Sequence, residues 1–397
     1  MESLRGKVGI WVKSPDEFFN RETELAQLLE KIMRGESVYI SAPRRIGKTS
    51  LMRKAEEALT KKEHVCLFFD MGGYGTTYEW ISTWFVSTLT GKKTDNKNKV
   101  FMVLNSLLST MGIPGTPDSV TEGSLRGLFD ESNWREKGNI IFNTLVNSLD
   151  ENQRLVVFLD ELAVMIEHFK DPKTEADFFL SWLSSVQEKH KDKLSFVVAS
   201  SIGLPPLLQK LTLSNRMNKF NPFPLDAWSN ETAKRCIHAL ARGEKMEIPD
   251  NVVSYMVERI GWCSPYYVQL FFDALRDDRQ GKACTQDDAE RIYLEKIVRG
   301  PKGNFQLSHM EERLRKIFKE HEYTLAMRIL SRLSNVESAV DTESLIRQAK
   351  EGNYFVDSFH GIMRNLEDDW YIEKHGNGWL FKPGLLKDWW RHRYGDM

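Results

Sequence analysis

The fold is decided by one stretch of the chain, Ser37-Val38-Tyr39-Ile40-Ser41-Ala42-Pro43-Arg44-Arg45-Ile46-Gly47-Lys48-Thr49-Ser50. Its first five residues predict a short strand, because most of them are β-branched or aromatic. Residues 48–60 predict a helix, and the residues between predict a tight turn. Residues 64–70 predict a second strand. Strand, helix and strand in this order form a βαβ unit, which requires a parallel sheet covered by helices.

The turn has the spacing of a phosphate-binding loop, or P-loop, and it lies between a strand and a helix as that motif requires. In such a loop the backbone N–H groups and the N-terminus of the helix point at one spot, which favours a polyphosphate. Lys48 would place its charge on the β and γ oxygens, and the Thr49 hydroxyl could ligate Mg²⁺. ATP and Mg²⁺ are therefore the predicted cofactors, and the predicted nucleotide contacts of the loop are Pro43, Arg44, Arg45, Ile46, Gly47, Lys48, Thr49 and Ser50.

One position departs from the general motif, because Ala42 replaces its first glycine. A Cβ is tolerated there only if φ is below zero, and Pro43 favours an extended Ala42. The alternative explanation is a polar turn that happens to contain Gly47-Lys48-Thr49.

Two carboxylates follow the apolar run Leu155-Val156-Val157-Phe158-Leu159, the arrangement called Walker B. Asp160 would hold the Mg²⁺, and Glu161 would orient and deprotonate the attacking water. The alternative is a strand that ends in two solvated acids. Ser200 and Ser201 follow the next predicted strand, 196–199, either as a turn or, for Ser200, as a group that senses the γ-phosphate.

The rest of the chain predicts three domains. Residues 1–224 form the core, with an insertion at about 92–137 around a short apolar helix. Residues 225–300 predict a helical lid, including a helix capped by Thr285 with Asp288 three residues on. Gly300-Pro301-Lys302-Gly303 predicts a linker. Residues 301–397 predict helices followed by a β-hairpin, the order of a winged helix-turn-helix domain.

These residues resemble the archaeal-type ATPases of the STAND class, which are relatives of the AAA+ proteins. The resemblance covers nearly the whole chain, and its most specific feature is the double arginine before Gly47-Lys48-Thr49. The matching segments are Asn20-Arg21-Glu22, residues 43–51, residues 158–161, residues 200–203, Phe223-Pro224-Leu225, Ser264-Pro265-Tyr266-Tyr267 and the C-terminal ending from Leu380 to Trp390.

The resemblance implies an α/β fold with a P-loop NTPase parallel sheet, a helical lid and a C-terminal winged helix. It also implies that Asn20 and Arg21 lie near the adenine and that Pro265 begins a lid helix that closes over the nucleotide. The wider spacing from Gly261 to Pro265 departs from the family pattern. Arg216 lies where an arginine could reach the nucleotide, or it is an ion-paired surface residue.

STAND-type proteins resemble switches, so the resemblance implies slow ATP hydrolysis that gates binding to a protein partner, with the loop at 92–137 and the C-terminal domain as partner surfaces. A DNA-acting AAA+ motor or loader and a sensor of invading genetic elements are the alternatives, and a homo-oligomer is left open. DNA is not favoured, because residues 301–397 hold 15 Lys plus Arg against 15 Asp plus Glu.

The composition of the whole chain fits this interpretation. Its formal net charge is −1, which gives no global field toward nucleic acid or an anionic membrane. The sequence shows no bilayer-length apolar run, no signal-peptide pattern and no Cys-x-x-Cys pair. We therefore expect a cytoplasmic protein without a membrane partner.

Overall fold

The computed structural model describes residues 4, 18–90, 97–110, 122–200, 203–279, 283–352 and 356–396 of the 397-residue chain. The contacts divide the chain into two units. The N-terminal unit comprises Arg21–Arg44 and Lys48–Leu225. The C-terminal unit comprises Asp226–Met397 together with Arg45–Gly47 and Met1–Asn20.

The N-terminal unit is built on a five-stranded parallel sheet, as the βαβ pattern predicts. Its strands lie in the order β2-β3-β4-β1-β5. Every residue of β3 and β4 is buried, which agrees with their uninterrupted apolar sequences. The strands are β1 Ser37–Ser41, β2 Val65–Asp70, β3 Leu155–Asp160, β4 Leu194–Ala199 and β5 Phe220–Pro224.

Strand β5 is the strand of this sheet that was not predicted from the sequence. It pairs in parallel with β1, from Ser37 opposite Phe220 to Ser41 opposite Pro224. Its sequence did not predict a strand because it contains Pro222 and Pro224. Proline cannot donate a hydrogen bond to a sheet and argues against a central strand. The edge of the sheet tolerates both prolines, since only one side of β5 has a neighbour.

Nine helices accompany the sheet in the described part of this unit. The helix after the P-loop begins at Lys48 and ends at Thr60, as predicted. The helices are α1 Glu22–Met33, α2 Lys48–Thr60, α3 Thr77–Thr90, α4 Lys97–Thr110, α5 Glu122–Arg126, α6 Trp134–Asn147, α7 Leu162–His168, α8 Pro172–Lys189 and α9 Leu204–Lys210.

Within the predicted insertion at about 92–137 the described residues are helical, and the predicted short apolar helix is present as α4, Lys97–Thr110. These residues form α4, α5 and the start of α6, and Leu104, Leu125 and Trp134 are buried in the same core as the sheet. Residues 92–96 and 111–121 of the predicted insertion lie outside the described residues. Its role as a partner surface stays a prediction.

The C-terminal unit is mostly helical and has a small antiparallel sheet, β6-β8-β7. Thr285 and Asp288 form the predicted capping box at the start of α13. The elements are α10 Asn230–Gly243, α11 Asp250–Ile260, α12 Pro265–Arg279, α13 Gln286–Ile292, a π-helix Tyr293–Val298, α14 Pro301–Ile317, α15 Glu320–Ser334, β6 Val340–Asp341, α16 Thr342–Glu351, α17 Val356–Asp368, β7 Ile372–His375, β8 Gly378–Phe381 and α18 Gly384–Tyr394.

The predicted linker at Gly300–Gly303 is wrong. Helix α14 begins at Pro301, directly after Gly300, where proline fits because the first turn of a helix needs no N–H donor. Gly303 lies inside that helix, and a Cβ added to it would come within 1.6 Å of the Ile297 carbonyl oxygen. These small residues therefore let two helices approach closely.

A single hydrophobic cluster extends from α10 to α18 and so includes both the predicted lid and the predicted winged-helix region. Trp389 and Trp390 are fully buried in it and are therefore core residues. No helix among the described residues has the length and apolarity that a membrane span requires.

Candidate functional site

The P-loop connects β1 to α2 and has two residues with positive φ, Arg45 at 63° and Gly47 at 99°. Ala42 is buried and does not adopt a positive φ, as its Cβ requires. A Cβ added to Gly47 would meet no atom of the described residues within 4 Å.

Lys48 lies against the loop that precedes it. Its Nζ donates to the carbonyl oxygens of Ala42 at 3.0 Å and Pro43 at 2.7 Å. The side chain is buried, with 6% of its surface exposed, so the charge is concentrated at the loop. A charge held there can interact strongly with a polyphosphate, because little water screens it.

Thr49 and Asp160 meet although they are 111 residues apart. The Thr49 hydroxyl donates to Asp160 Oδ2 at 2.5 Å. Burial raises the pKa of the Asp160 carboxyl, and the charge of Glu161 raises it further, whereas the Thr49 hydrogen bond and Lys48 lower it. The parallel pairing of β1 with β4 and of β4 with β3 brings the P-loop and Asp160 to the same edge of the sheet.

These two oxygens fit a Mg²⁺ site. Magnesium in nucleotide sites takes one or two protein oxygens, and phosphate and water supply the others. Asp160 contributes a buried carboxylate and Thr49 a hydroxyl that are already in contact. Asp160 and Thr49 would hold the ion.

Glu161 follows at the junction of β3 and α7. Its φ is 58°, a left-handed conformation that is uncommon for a residue with a side chain. Its backbone N–H donates to Asp160 Oδ1 at 3.0 Å. Non-glycine residues in this region cost of order 1–3 kcal/mol and are concentrated at functional sites.

Comparisons with known proteins identify the family of the chain. A family described as "ATPase domain predominantly from Archaea" matches residues 18–256. The chain belongs to this family. The resemblance to archaeal-type ATPases is thereby confirmed, and a family of ATPases implies that the domain binds a nucleotide.

Solved structures show the same fold over nearly the whole ATPase. The Walker-type ATPase paby2304 of Pyrococcus abyssi is 14% identical with a TM-score of 0.62, over 96% of this chain and 99% of that one. The Aeropyrum pernix ORC2 protein, in its ADPNP–ADP complexes, is 11% identical with a TM-score of 0.55, over 96% of each chain. No curated protein matches the sequence. The fold is therefore that of a P-loop NTPase.

Ser200 follows β4 in the ATPase, and its side chain is buried. Its Oγ accepts a hydrogen bond from the backbone N–H of Ala163 at 3.2 Å. Ala163 lies in the first turn of α7, two residues after Glu161. Ser201 lies outside the described residues.

Asp70 is a residue that the sequence analysis missed. It ends β2, and the parallel register places it directly beside Asp160. Its Oδ1 accepts from the Gly72 N–H at 3.1 Å, which closes a short 3₁₀ turn, Met71–Gly73. A Cβ added to Gly72 would lie 3.5 Å from the Glu161 Cβ. The signal was present in the sequence, since β2 also ends its apolar run in an aspartate.

The remaining P-loop positions differ in exposure. Ile46 is fully buried, Arg44 and Arg45 are exposed, and Ser50 is half-buried in the first turn of α2. Arg45 groups with the C-terminal unit, where its Nη1 donates to Gln306 Oε1 at 3.1 Å.

The other predicted nucleotide contacts have defined partners. Arg21 is buried and forms an ion pair with Glu24 at 2.6 Å. Asn20 has a φ of 48° and lies in the C-terminal unit, where Pro265 begins α12 as predicted. Arg216 forms an ion pair with Asp177, which corresponds to the surface alternative considered above. A contact of any of these residues with nucleotide stays a prediction.

Proposed function

We propose that this chain binds MgATP at the P-loop and hydrolyses it. The hydrogen bond between Thr49 and Asp160 carries the proposal, because it joins the loop to the carboxylate that a phosphate-bound magnesium requires. Bound Mg²⁺ would neutralise charge on the phosphates. Lys48 binds the β and γ oxygens, and Glu161 orients the attacking water and accepts its proton.

Two substitutions test these roles with matched controls. Lys48→Ala removes the phosphate charge and should abolish ATP binding measured by calorimetry. Its control is Lys54→Ala, which removes a lysine of the same helix that pairs with Glu57. Glu161→Gln should keep ATP binding and lower kcat by about 10²-fold or more, because it removes only the base. Exposed Glu167, on α7, provides the Glu→Gln control. Unchanged turnover in Glu161→Gln would refute the assignment of the base.

We also propose that hydrolysis gates a regulatory switch that acts through protein partners, with slow turnover as in STAND-type ATPases. In support, residues 301–397 carry balanced charge, and Asp369 of their acidic segment is buried in an ion pair with Arg313. Glu367 and Asp368, at the end of α17, stay exposed and would repel a nucleic-acid backbone.

The winged-helix assignment belongs to this proposal, together with the domains 1–224, 225–300 and 301–397. Helices α15, α16 and α17 followed by the hairpin β7–β8 have the order that a winged helix-turn-helix needs. The hairpin exposes Lys374, His375 and Asn377, and this observation favours DNA as the second candidate partner.

ATP turnover with and without duplex DNA separates the two candidates. A switch that works through protein should show slow turnover that DNA does not change. Stimulation by DNA that disappears steeply with added salt would favour a DNA-acting ATPase, since phosphate contacts make affinity salt-dependent.

A further inference from the structure

The conformation of Glu161 requires support from its neighbours. It is the N-cap residue of α7 and has a left-handed backbone, and its own side chain does not cap the helix. The first N–H groups of a helix have no partner inside the helix. The Val164 N–H reaches the Glu161 carbonyl oxygen at 3.0 Å, whereas the Ala163 N–H takes its partner from outside the helix.

Ser200 supplies one of these partners from the neighbouring strand. Its Oγ accepts the N–H of Ala163, and both groups are buried. Strand β4 pairs with β3 directly before this point, from Leu155 opposite Leu194 to Leu159 opposite Val198. Ser200 directly follows this paired strand, and its hydrogen bond to Ala163 holds the first turn of α7 beside Glu161.

The turn after β2 also packs beside Glu161. Asp70 closes this turn through the Gly72 N–H, and an added Cβ at Gly72 would contact both the Glu161 Cβ and Val164 Cγ1 at 3.5 Å. The base therefore lies between a close-packed turn and a helix that is fixed from β4.

We propose that Ser200 is a positioning residue, which acts on hydrolysis by capping α7 and thereby orienting Glu161. It is not a ligand of the γ-phosphate in this role. The inference rests on the proposed function of Glu161 as the base. It predicts that loss of the Ser200 acceptor lowers kcat, whereas the affinities for ATP and ADP stay in the same ratio.

The experiment uses Ser200→Ala in the full chain, with Ser195→Ala as the matched control. Ser195 is the other buried serine of this segment and donates to the Ile32 carbonyl oxygen at 3.3 Å, away from α7. We expect Ser200→Ala to lower kcat by about tenfold with KM unchanged, because small misplacements of a catalytic group reduce rates strongly. Ser195→Ala should turn over ATP like the wild type.

Two further variants make the result independent of folding defects. Ser200→Thr keeps the oxygen acceptor and should restore kcat. Ser200→Cys keeps the connectivity of the side chain but has a weak acceptor, and it should not restore kcat. In the Glu161→Gln background, Ser200→Ala should lower the residual rate no further, since both changes act through one group. Calorimetry with MgATP and MgADP in that background should give the same affinity ratio with and without Ser200.

Each outcome separates the alternatives. A selective loss of ATP affinity, or a further loss of rate on top of Glu161→Gln, would overturn the inference in favour of a γ-phosphate contact. Equal kcat for Ser200→Ala and Ser195→Ala would overturn it as well. If Glu161→Gln alone retains turnover, the proposed base is wrong and this inference fails with it. If that variant is inactive and Ser200→Ala is fully active, only this inference is wrong.

Discussion

Replacing Thr49 by valine tests the contact that joins the P-loop to strand β3. Valine has nearly the same shape as threonine but no hydroxyl, so Asp160 loses the hydrogen bond that the structure shows at 2.5 Å. Asp160 is only 4% exposed, so water replaces the lost partner poorly. Hydrogen bonds to charged groups contribute about 1.5–3 kcal/mol, and we expect Thr49→Val to lower the free energy of unfolding at pH 8 by that amount.

The stability that Thr49→Val loses should increase as pH rises. Burial raises the pKa of Asp160 in the folded protein, and the Thr49 hydrogen bond opposes this rise. The stability that Asp160 contributes is therefore complete below its unfolded pKa and is lost as pH rises through the folded pKa. Without the Thr49 hydrogen bond the pKa of Asp160 in the folded protein rises further. The variant therefore loses more stability than the wild type as pH rises. The difference in the free energy of unfolding between Thr49→Val and the wild type should thus be larger at pH 8 than at pH 5.

Urea unfolding at pH 5 and pH 8, followed by tryptophan fluorescence, measures this difference. Thr49→Ser keeps the hydroxyl and should behave like the wild type. Thr88→Val removes a hydroxyl that donates to the Trp84 carbonyl oxygen at 2.9 Å, and its effect should not change with pH. A penalty for Thr49→Val that is the same at both pH values would refute the hydrogen bond to an ionised Asp160 and indicate a packing effect.

Two further predictions concern the C-terminal unit and the surface of the N-terminal unit. Gly303→Ala should destabilise the protein by about 3 kcal/mol or more in urea unfolding, because its Cβ would overlap the Ile297 carbonyl oxygen. Gly361→Ala, where the added Cβ meets no atom of the described residues within 4 Å, should stabilise the protein by about 1 kcal/mol. Equal effects at both glycines would contradict the close helix packing. Arg216→Ala should cost at most about 1 kcal/mol and leave ATP turnover unchanged, because its ion pair with Asp177 is partly exposed. A tenfold fall in kcat would instead support a contact of Arg216 with the nucleotide.

The parts of the fold that the sequence predicted are those with a strong local pattern. Strands β1, β3 and β4 are apolar runs flanked by turns, and the P-loop connects strand and helix as its motif requires. Predictions from local sequence were wrong where packing in the folded protein overrides the local preference. Pro222 and Pro224 argued against a strand that an edge position permits, and Gly300 and Gly303 suggested flexibility where helices pack closely.

The candidate site divides in the same way. Lys48, Thr49, Asp160 and Glu161 were predicted because each chemical role has a characteristic residue at a characteristic spacing. The partner of Ser200 could not be predicted, because it depends on how β4 lies beside the first turn of α7. Contacts of this kind follow from the register of the sheet, which one sequence without homologues does not specify.

The P-loop itself shows why a motif is better understood as a set of backbone conformations than as a set of letters. The left-handed positions of the loop are Arg45 and Gly47. Position 42 tolerates alanine because the φ of Ala42 is not positive. Among the described residues no atom lies within 4 Å of a Cβ added at Gly47, and its φ of 99° is what favours glycine there. Arg45 adopts the left-handed region with a side chain, at a cost that its hydrogen bond to Gln306 helps to offset. A rule that demanded glycine at position 42 would have rejected a loop whose geometry requires it only at position 47.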